Sequence, residues 1–371
     1  MSARKLRQLL LVIVCALLAL GVVAVASASA MASAATYGHT FYFVRHHLAS
    51  ILCGLLAGMG CLAIPYDQLR RSARWLFLVS LVLLVIVFLV GPEIGGAKRW
   101  VRFGRFSLQP SEFAQLSLIV YLADLLARHH DRLQDFWRGF MPPLMAAGLM
   151  AGTVLIQPDL GTAIVMGAVA LMLLAIARAK WRHLALLSAV ATIVLVFLVM
   201  GEEYRRRRLL AFLDPMKDPR GSGYQILQSY IALASGGLAG LGIGASAQKL
   251  FYLPSAHADF IFAIIGEELG LVGTLAVISL FGLFLACGYR IGMAAHDPFS
   301  KYLVCGLVGM IGLEAFINIA VVTGLLPTKG LPLPFVSYGG SAMVINVIAC
   351  ALILQASRQG ERYALGSALG R

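Results

Sequence analysis

The stretch Asp259-Phe-Ile-Phe-Ala-Ile-Ile-Gly-Glu-Glu268-Leu-Gly-Leu-Val-Gly-Thr-Leu-Ala-Val-Ile-Ser-Leu-Phe-Gly-Leu-Phe-Leu-Ala-Cys-Gly-Tyr289-Arg290 decides the fold. Between Phe260 and Tyr289 its only charges are Glu267 and Glu268. As a helix this run is about 45 Å long, against a hydrocarbon core of about 30 Å. If Arg290 fixes the cytoplasmic end, a surplus of about 15 Å lies at the outer end. Glu267 and Glu268 are then expected near the outer interface, with Asp259 above them in the aqueous mouth. Strong tilt would absorb part of that surplus.

Outward from this run, further charge-poor windows lie at 8–30, 47–65, 75–91, 110–127, 140–157, 161–177, 183–200, 302–326 and 341–357. The window at 110–127 is the least hydrophobic, and Asp124 limits its apolar core. The whole chain of 371 residues is 60% hydrophobic and 13% charged, with a mean hydropathy of +0.86. A soluble domain of this size needs a larger charged surface. The expected fold is therefore all-α: a polytopic membrane protein of about ten transmembrane helices in one domain over 1–371. Arg4, Lys5 and Arg7 before the apolar run Leu9–Ala26, followed by Ala-Ser-Ala, mimic a cleavable signal peptide. That run exceeds the usual core of about 7–15 residues, and the reading adopted is an uncleaved first span. The six cysteines all lie in apolar stretches without CxxC spacing and read as small buried hydrophobes.

An even number of spans places both termini on one side, and arginine in the short loops places that side in the cytoplasm. Two outer loops break the pattern: four cations at 98–105 and seven between 205 and 249. The larger loop, about 201–258 between spans 7 and 8, is neither low-complexity nor linker-like. Its stretch from Gly223 to Leu233 reads as a short amphipathic helix, and Gly236, Gly237, Gly240, Gly242 and Gly244 follow. Ordered structure on the outer membrane surface is expected there, because a loop this long without a function is unusual.

Several residues in these loops suit chemistry. Asp259 has two readings: a helix N-cap, or a carboxylate general base at the membrane–water boundary. His257 is a loop histidine or a group that helps order that site. Lys98, Arg99, Arg102 and Arg105 alternate with Trp100, Phe103 and Phe106. Such a pattern suits either an interfacial belt at lipid headgroups or the docking of an anionic lipid-linked substrate. Nucleic acid is rejected as a partner because these residues face outward against a bilayer. Tyr204 and Arg205–Arg208 read as a solvated charge run or, with Lys249, as cations able to neutralise a departing pyrophosphate. Ser111 and Glu112 mark a helix start, Asp159 a turn, and Glu314 and Asn318 share a helix face. No Walker loop, HExxH or nucleophile elbow is present.

Taken in order, Gln109-Pro-Ser-Glu-Phe, Gln157-Pro-Asp-Leu-Gly-Thr-Ala, Tyr204 through Phe212-Leu-Asp-Pro, Gly223-Tyr-Gln, Gln248-Lys249, Ala256-His-Ala-Asp-Phe-Ile-Phe-Ala and Pro332-Leu-Pro-Phe-Val-Ser-Tyr-Gly-Gly-Ser resemble the signatures of one family. This is the SEDS family of RodA, FtsW and SpoVE, and the resemblance runs from the first span to Arg358. Pro327-Thr-Lys-Gly is more similar to the FtsW division branch than to the RodA elongation branch. The resemblance implies a peptidoglycan glycosyltransferase that polymerises lipid II at the outer face of the cytoplasmic (inner) membrane, with undecaprenyl pyrophosphate leaving. It aligns Asp259 with the family's essential aspartate. For substrate binding it nominates Lys98, Arg99, Trp100, Glu112, Arg205, Arg208, Gln225, Lys249, His257, Ser337 and Tyr338. It implies a class B penicillin-binding protein as partner, beside other divisome membrane proteins and membrane lipids. No cofactor follows from the residues, although carboxylates near a pyrophosphate could hold a divalent cation such as Mg²⁺.

The sequence departs from the family at three places. Gln115 stands where the family usually carries lysine, so a pairing with Glu112 is unavailable. Ser255 and Ala258 replace the common Glu and Thr around the histidine, removing polar groups beside Asp259. A lipid II flippase and a non-catalytic divisome scaffold are the alternative readings.

Overall fold

A segment crossing hydrocarbon must satisfy its own backbone hydrogen bonds, so each charge-poor window folds as a helix. The computed structural model describes residues 3–93, 97–103, 106–221, 223–250 and 252–369. Among these the chain forms α1 (Ala3–Tyr37), α2 (Tyr42–Ala63), α3 (Tyr66–Val90), α4 (Pro110–Arg128), α5 (Met141–Ile156), α6 (Leu160–Ile176), α7 (Trp181–Met200), α8 (Glu203–Leu213), α9 (Tyr224–Gly236), α10 (Ile261–Met293), α11 (Pro298–Val322) and α12 (Gly340–Leu369). Ten of these coincide with the ten expected spans, while α8 and α9 give the 201–258 segment its ordered structure. Among the described residues, eight helices are long and apolar enough to cross a membrane, and α6 is a shorter apolar helix. The protein is thus a multi-pass membrane protein.

The remaining long helix, α4, falls short in hydropathy for a physical reason. It buries Ser111, Glu112, Gln115, Ser117 and Asp124, which suits a helix enclosed by α3, α5, α6 and α11 rather than by lipid. The helices also outrun the sequence windows where cations sit near their ends. α3, for example, takes in Arg70, Arg71 and Arg74 in its first turns. In the 92–112 stretch, read from sequence as a loop, a hairpin forms from β1 (Val101–Phe103) and β2 (Phe106–Leu108), with Val101 opposite Leu108. Arg105 lies outside the described residues, as do the side chains of Arg102, Phe103 and Phe106.

α11 is the central post, packed against α4, α6, α10 and α12. α1 runs along α10, and α2 lies against α12. Arg7 Nη1 donates to Ser357 O at 3.2 Å, so the first and last spans begin and end at one face, here the terminal face. The opposite, loop face gathers the hairpin, the α5–α6 turn, the 201–259 segment and the 323–339 segment.

α10 is where the sequence reading needs correction. It is not one straight 30-residue rod: the helix breaks at Gly270, whose φ of 66° and ψ of −160° are open to glycine. The segment after α9 splices into the break. Leu271 N donates to Gly237 O at 2.9 Å and Val272 N to Leu238 O at 3.3 Å. In return Leu241 N donates to Glu267 O and Gly242 N to Glu268 O, both at 3.0 Å. The broken ladder is therefore satisfied by protein, as a membrane-depth helix requires. Glu267 and Glu268, expected near an aqueous interface, are buried under this segment instead.

Candidate active site

Asp259 sits in the turn immediately before α10. The N-cap of that helix is Phe260, and no side chain caps it. The cap reading of Asp259 is thereby set aside: its carboxylate accepts no hydrogen bond among the described residues. The backbone holds it instead. Asp259 N donates to Ser255 O at 3.1 Å, and Asp259 O accepts from Asn318 Nδ2 at 2.9 Å. Asn318 Nδ2 also donates to Leu331 O at 2.7 Å, so one buried amide on α11 ties the Asp259 turn to the 323–339 segment. Ser337 adds a second tie, donating through Oγ to Ala258 O at 2.5 Å while accepting from Leu333 N at 2.8 Å. Ser255 and Phe335 adopt left-handed backbone, with φ of 55° and 64°, on either side of this junction. Such geometry persists only where surrounding contacts over-determine it.

The two segments meet closely. A Cβ added to Gly330 would stand 3.0 Å from Asp259 Oδ2. Burial raises the Asp259 carboxyl and the Arg208 guanidinium opposes the shift, leaving it at about 6. Arg208 is itself positioned by Tyr204, over whose ring it lies at 4.5 Å, and by Thr328, whose carbonyl accepts from its Nη1 at 3.2 Å. Beside it stands Lys329, which sequence reasoning did not single out within Pro327-Thr-Lys-Gly. Burial lowers its ammonium to about 8, Asp159 opposes that shift, and Arg205 adds to it. The Lys329 ammonium forms no ion pair or hydrogen bond among the described residues, while its carbonyl accepts from Leu331 N at 3.0 Å.

The other nominated residues fall into three groups. Arg205 donates to Leu198 O at 3.0 Å, which anchors it near the end of α7. Arg99 is pinned to the α5–α6 turn, donating to Gln157 O at 2.8 Å and Pro158 O at 2.6 Å, while Lys98 is exposed and Trp100 half-buried. Asp159 caps α6 and gathers Thr162, Gln109 and Ser111 by hydrogen bonds of 2.9–3.4 Å. His257 and Tyr338 belong to an aromatic cluster. The His257 ring lies 4.4 Å from Phe43 and 5.6 Å from Tyr338, and burial depresses its basicity. Tyr338 N donates to His257 O at 2.9 Å, so the pair clasps the two segments.

The third group makes no hydrogen bond or ion pair with the Asp259 side chain among the described residues. Lys249 is half-buried and forms an ion pair with Glu268 at 3.1 Å while also bonding Ser27 at 3.1 Å, so its charge is already paired within the protein. Gln225 is half-buried on α9, with no hydrogen bond to the Asp259 group among the described residues. Glu112 is buried in the first turn of α4. The lysine-to-glutamine departure has a visible consequence: Gln115 Nε2 donates to Glu314 Oε1 at 2.9 Å, across to α11. At the loop face the Asp259 carboxylate thus lies within the influence of the Arg208 guanidinium, while Lys329 lies within that of Asp159 and Arg205.

Comparison with known proteins agrees with this geometry. "Probable peptidoglycan glycosyltransferase FtsW" of Geobacter metallireducens is 41% identical over 94% of this chain and 93% of its own length. The protein of the same name from Thioalkalivibrio sulfidiphilus is 43% identical over 96% of this chain and 90% of its own. A chain solved within a peptidoglycan synthase complex, studied for coordination of polymerization and crosslinking, superposes with a TM-score of 0.78 at 29% identity, covering 94% of this chain and 97% of that one. The crystal structure of the rod shape determining protein RodA of Thermus thermophilus gives a TM-score of 0.70 at 27% identity, over 95% of this chain and 96% of that one. The family described as cell cycle protein, which unites FtsW, RodA and SpoVE, matches residues 7–362. The chain therefore belongs to the FtsW/RodA/SpoVE family of cell cycle proteins, on its FtsW branch.

Proposed function

We propose that this protein is a peptidoglycan glycosyltransferase that polymerises lipid II for septal wall synthesis, working at the outer face of the cytoplasmic membrane. The observation that carries the reading is Asp259: a carboxylate at the end of a membrane helix, unused as a cap and faced by the Arg208 guanidinium. A group with a pKa near 6 is ionised at neutral pH yet basic enough to accept a hydroxyl proton as bond formation proceeds. In this reading Asp259 takes the proton of the acceptor sugar's 4-hydroxyl. That oxygen attacks the donor's anomeric carbon from the face opposite the leaving group and inverts it. The anomeric C–O bond to undecaprenyl pyrophosphate breaks, and the pyrophosphate carries the electron pair away beside Arg208, Lys329 and Arg205.

Cation-rich loops at the loop face suit an extracytoplasmic catalytic end, with both termini in the cytoplasm, because their contents bind an anionic substrate rather than set topology. A class B penicillin-binding protein is the partner this reading expects, and the likeness to a chain from a peptidoglycan synthase complex supports it. Other divisome proteins and bilayer lipids complete its surroundings. Among the described residues no three carboxylate, histidine or cysteine side chains are grouped to hold a metal ion. A divalent cation would therefore rest largely on substrate phosphates, and no step is assigned to it. The test is polymerisation of lipid II by purified protein and its transpeptidase partner in detergent, where no second compartment exists. Wild type should form polymer, and Asp259→Asn should lose about 10²–10⁴-fold in rate while still binding lipid II. Undiminished polymer from Asp259→Asn would remove the base. Transport by wild type across sealed vesicles without polymer would replace the reading with a flippase.

A further inference from the structure

Far from Asp259, at the terminal face, a cavity of about 610 Å³ opens between the chain entering α5 and the start of α7. Arg132, Gln134, Asp135, Phe136, Lys180 and His183 line it. Its wall is tightly built: a Cβ on Gly139 would lie 1.9 Å from Arg132 O, so only glycine lets 132–140 fold back on itself. Asp135 is already engaged as a cap, its Oδ1 accepting from Trp137 N at 3.0 Å and Arg138 N at 3.4 Å. Arg132 and Lys180 make no ion pair among the described residues. The first turn of α7 contains no acidic residue and has no side-chain cap, which leaves its positive end open to an anion. His183 packs its ring on Phe136 and Phe140, and its buried Nδ1 has no partner within the described protein.

Depth in the bilayer identifies the occupant. Phe136 and Trp181 are the first residues of two apolar spans, so the cavity lies where hydrocarbon meets headgroups. Trp137 and Trp181, each 73% exposed, stand at that level as interfacial aromatics do. α7 is apolar and buries no residue against the rest of the protein, which leaves its surface open to acyl chains immediately beside the cavity. We propose that this cavity holds the phosphate of an anionic glycerophospholipid whose acyl chains lie along α7. Arg132, Lys180 and the Gln134 amide donate to the phosphate oxygens. A soluble phosphate would leave the apolar surface of α7 unused. A headgroup with its own ammonium would be repelled by the same two cations.

The experiment counts lipids retained by the full-length protein in native mass spectrometry, offering phosphatidylglycerol or phosphatidylethanolamine with identical acyl chains. Phosphatidylglycerol should be retained preferentially, less so as salt rises. Each cation is expected to contribute about fivefold, so Arg132→Gln with Lys180→Gln together should lose about 25-fold in phosphatidylglycerol retention. Arg132→Lys with Lys180→Arg should keep the preference. Independently of any variant, a phosphatidylglycerol with a photoreactive headgroup should crosslink wild type within 132–136 and 180–183. Unchanged retention in the double Gln variant, crosslinks confined to other segments, equal retention of phosphatidylethanolamine, or displacement of lipid by inorganic phosphate at matched concentration would each overturn the proposal.

Discussion

Asp259 owes its expected reactivity to two opposed influences, and their opposition can be measured. Burial raises its pKa, Arg208 lowers it, and the balance lies at about 6. The rate should therefore rise with pH through an acid limb centred near 6 and level off above it. Removing the guanidinium removes the lowering influence, so in Arg208→Gln the limb should move to higher pH. A profile that shifts downward, or stays in place, would separate Arg208 from the base. Asn318 makes a second prediction at this scale. Its Nδ2 donates to Asp259 O and Leu331 O, and it is 1% exposed. Asn318→Asp keeps the shape but presents an acceptor to two carbonyl oxygens, each unsatisfied group costing about 1–3 kcal/mol. The polymerisation rate should fall at least as far as in Asn318→Ala, and Asn318→Asp outperforming Asn318→Ala would sink the positioning role. The sequence made Asp259 legible because a carboxylate stands out before an apolar run. Lys329 was hidden in a Pro- and Gly-rich turn that reads as loop. The pairing of Lys249 with Glu268, 19 residues on, could not be read from sequence because only the fold joins them.

At the scale of elements, hydropathy located all ten long helices, since each must bury its backbone polar groups within itself. What hydropathy could not reveal was the break in α10, because Gly270 lies among other glycines in a span where glycine is common. Only the approach of the Gly237–Gly242 segment makes that one glycine different. Gly270→Ala would force a left-handed φ on alanine and set its Cβ 2.4 Å from Gly240 N and 2.6 Å from Leu238 O. A loss of about 2–4 kcal/mol is expected from strain and displacement together, read as a lower melting point in detergent. Gly240→Ala should act alike, its Cβ meeting Glu268 O at 2.2 Å. Gly282 in the same helix is exposed, with nothing within 4 Å of an added Cβ, so Gly282→Ala should be neutral or stabilising. Equal effects at Gly270 and Gly282 would mean the splice contributes nothing. α4 and α7 show the converse limit of pattern reading: the least apolar span is enclosed, whereas α7 buries nothing. Mean hydropathy reports what a helix can tolerate rather than which neighbours it acquires.

Taken whole, the molecule keeps its chemistry at one face and a clamp at the other. At the terminal face Asp124, with a side chain 3% exposed, accepts from Arg70 at 3.1 Å and pairs with Arg128 at 2.8 Å. Arg70 reaches on toward Asp297 at 4.0 Å, and Tyr66 bonds both Asp297 and Ser300, so α3, α4 and α11 are fastened together. Sequence displayed the arginines only as inner cations that set orientation and Asp124 only as a limit on an apolar window, because partners 54 residues apart cannot be matched without the bundle. The clamp is asymmetric in a way that fixes the outcome of breaking it. The two guanidinium groups are 36% and 44% exposed and can turn to water or headgroups, whereas the carboxylate cannot. Asp124→Asn should therefore cost about 1–3 kcal/mol, because Arg70 and Arg128 need not remain as uncompensated buried charges. Arg70→Ala with Arg128→Ala should cost more, about 3–5 kcal/mol, because Asp124 would be left charged and enclosed. Polymerisation per folded molecule should be unchanged in Asp124→Asn, since the Asp259 turn is anchored from α11 and the 323–339 segment at the far end of the bundle. Melting curves and rates measured on the same samples decide the matter: a rate that falls in proportion to stability at every temperature would couple the two faces, and a rate preserved below the melting transition keeps them separate.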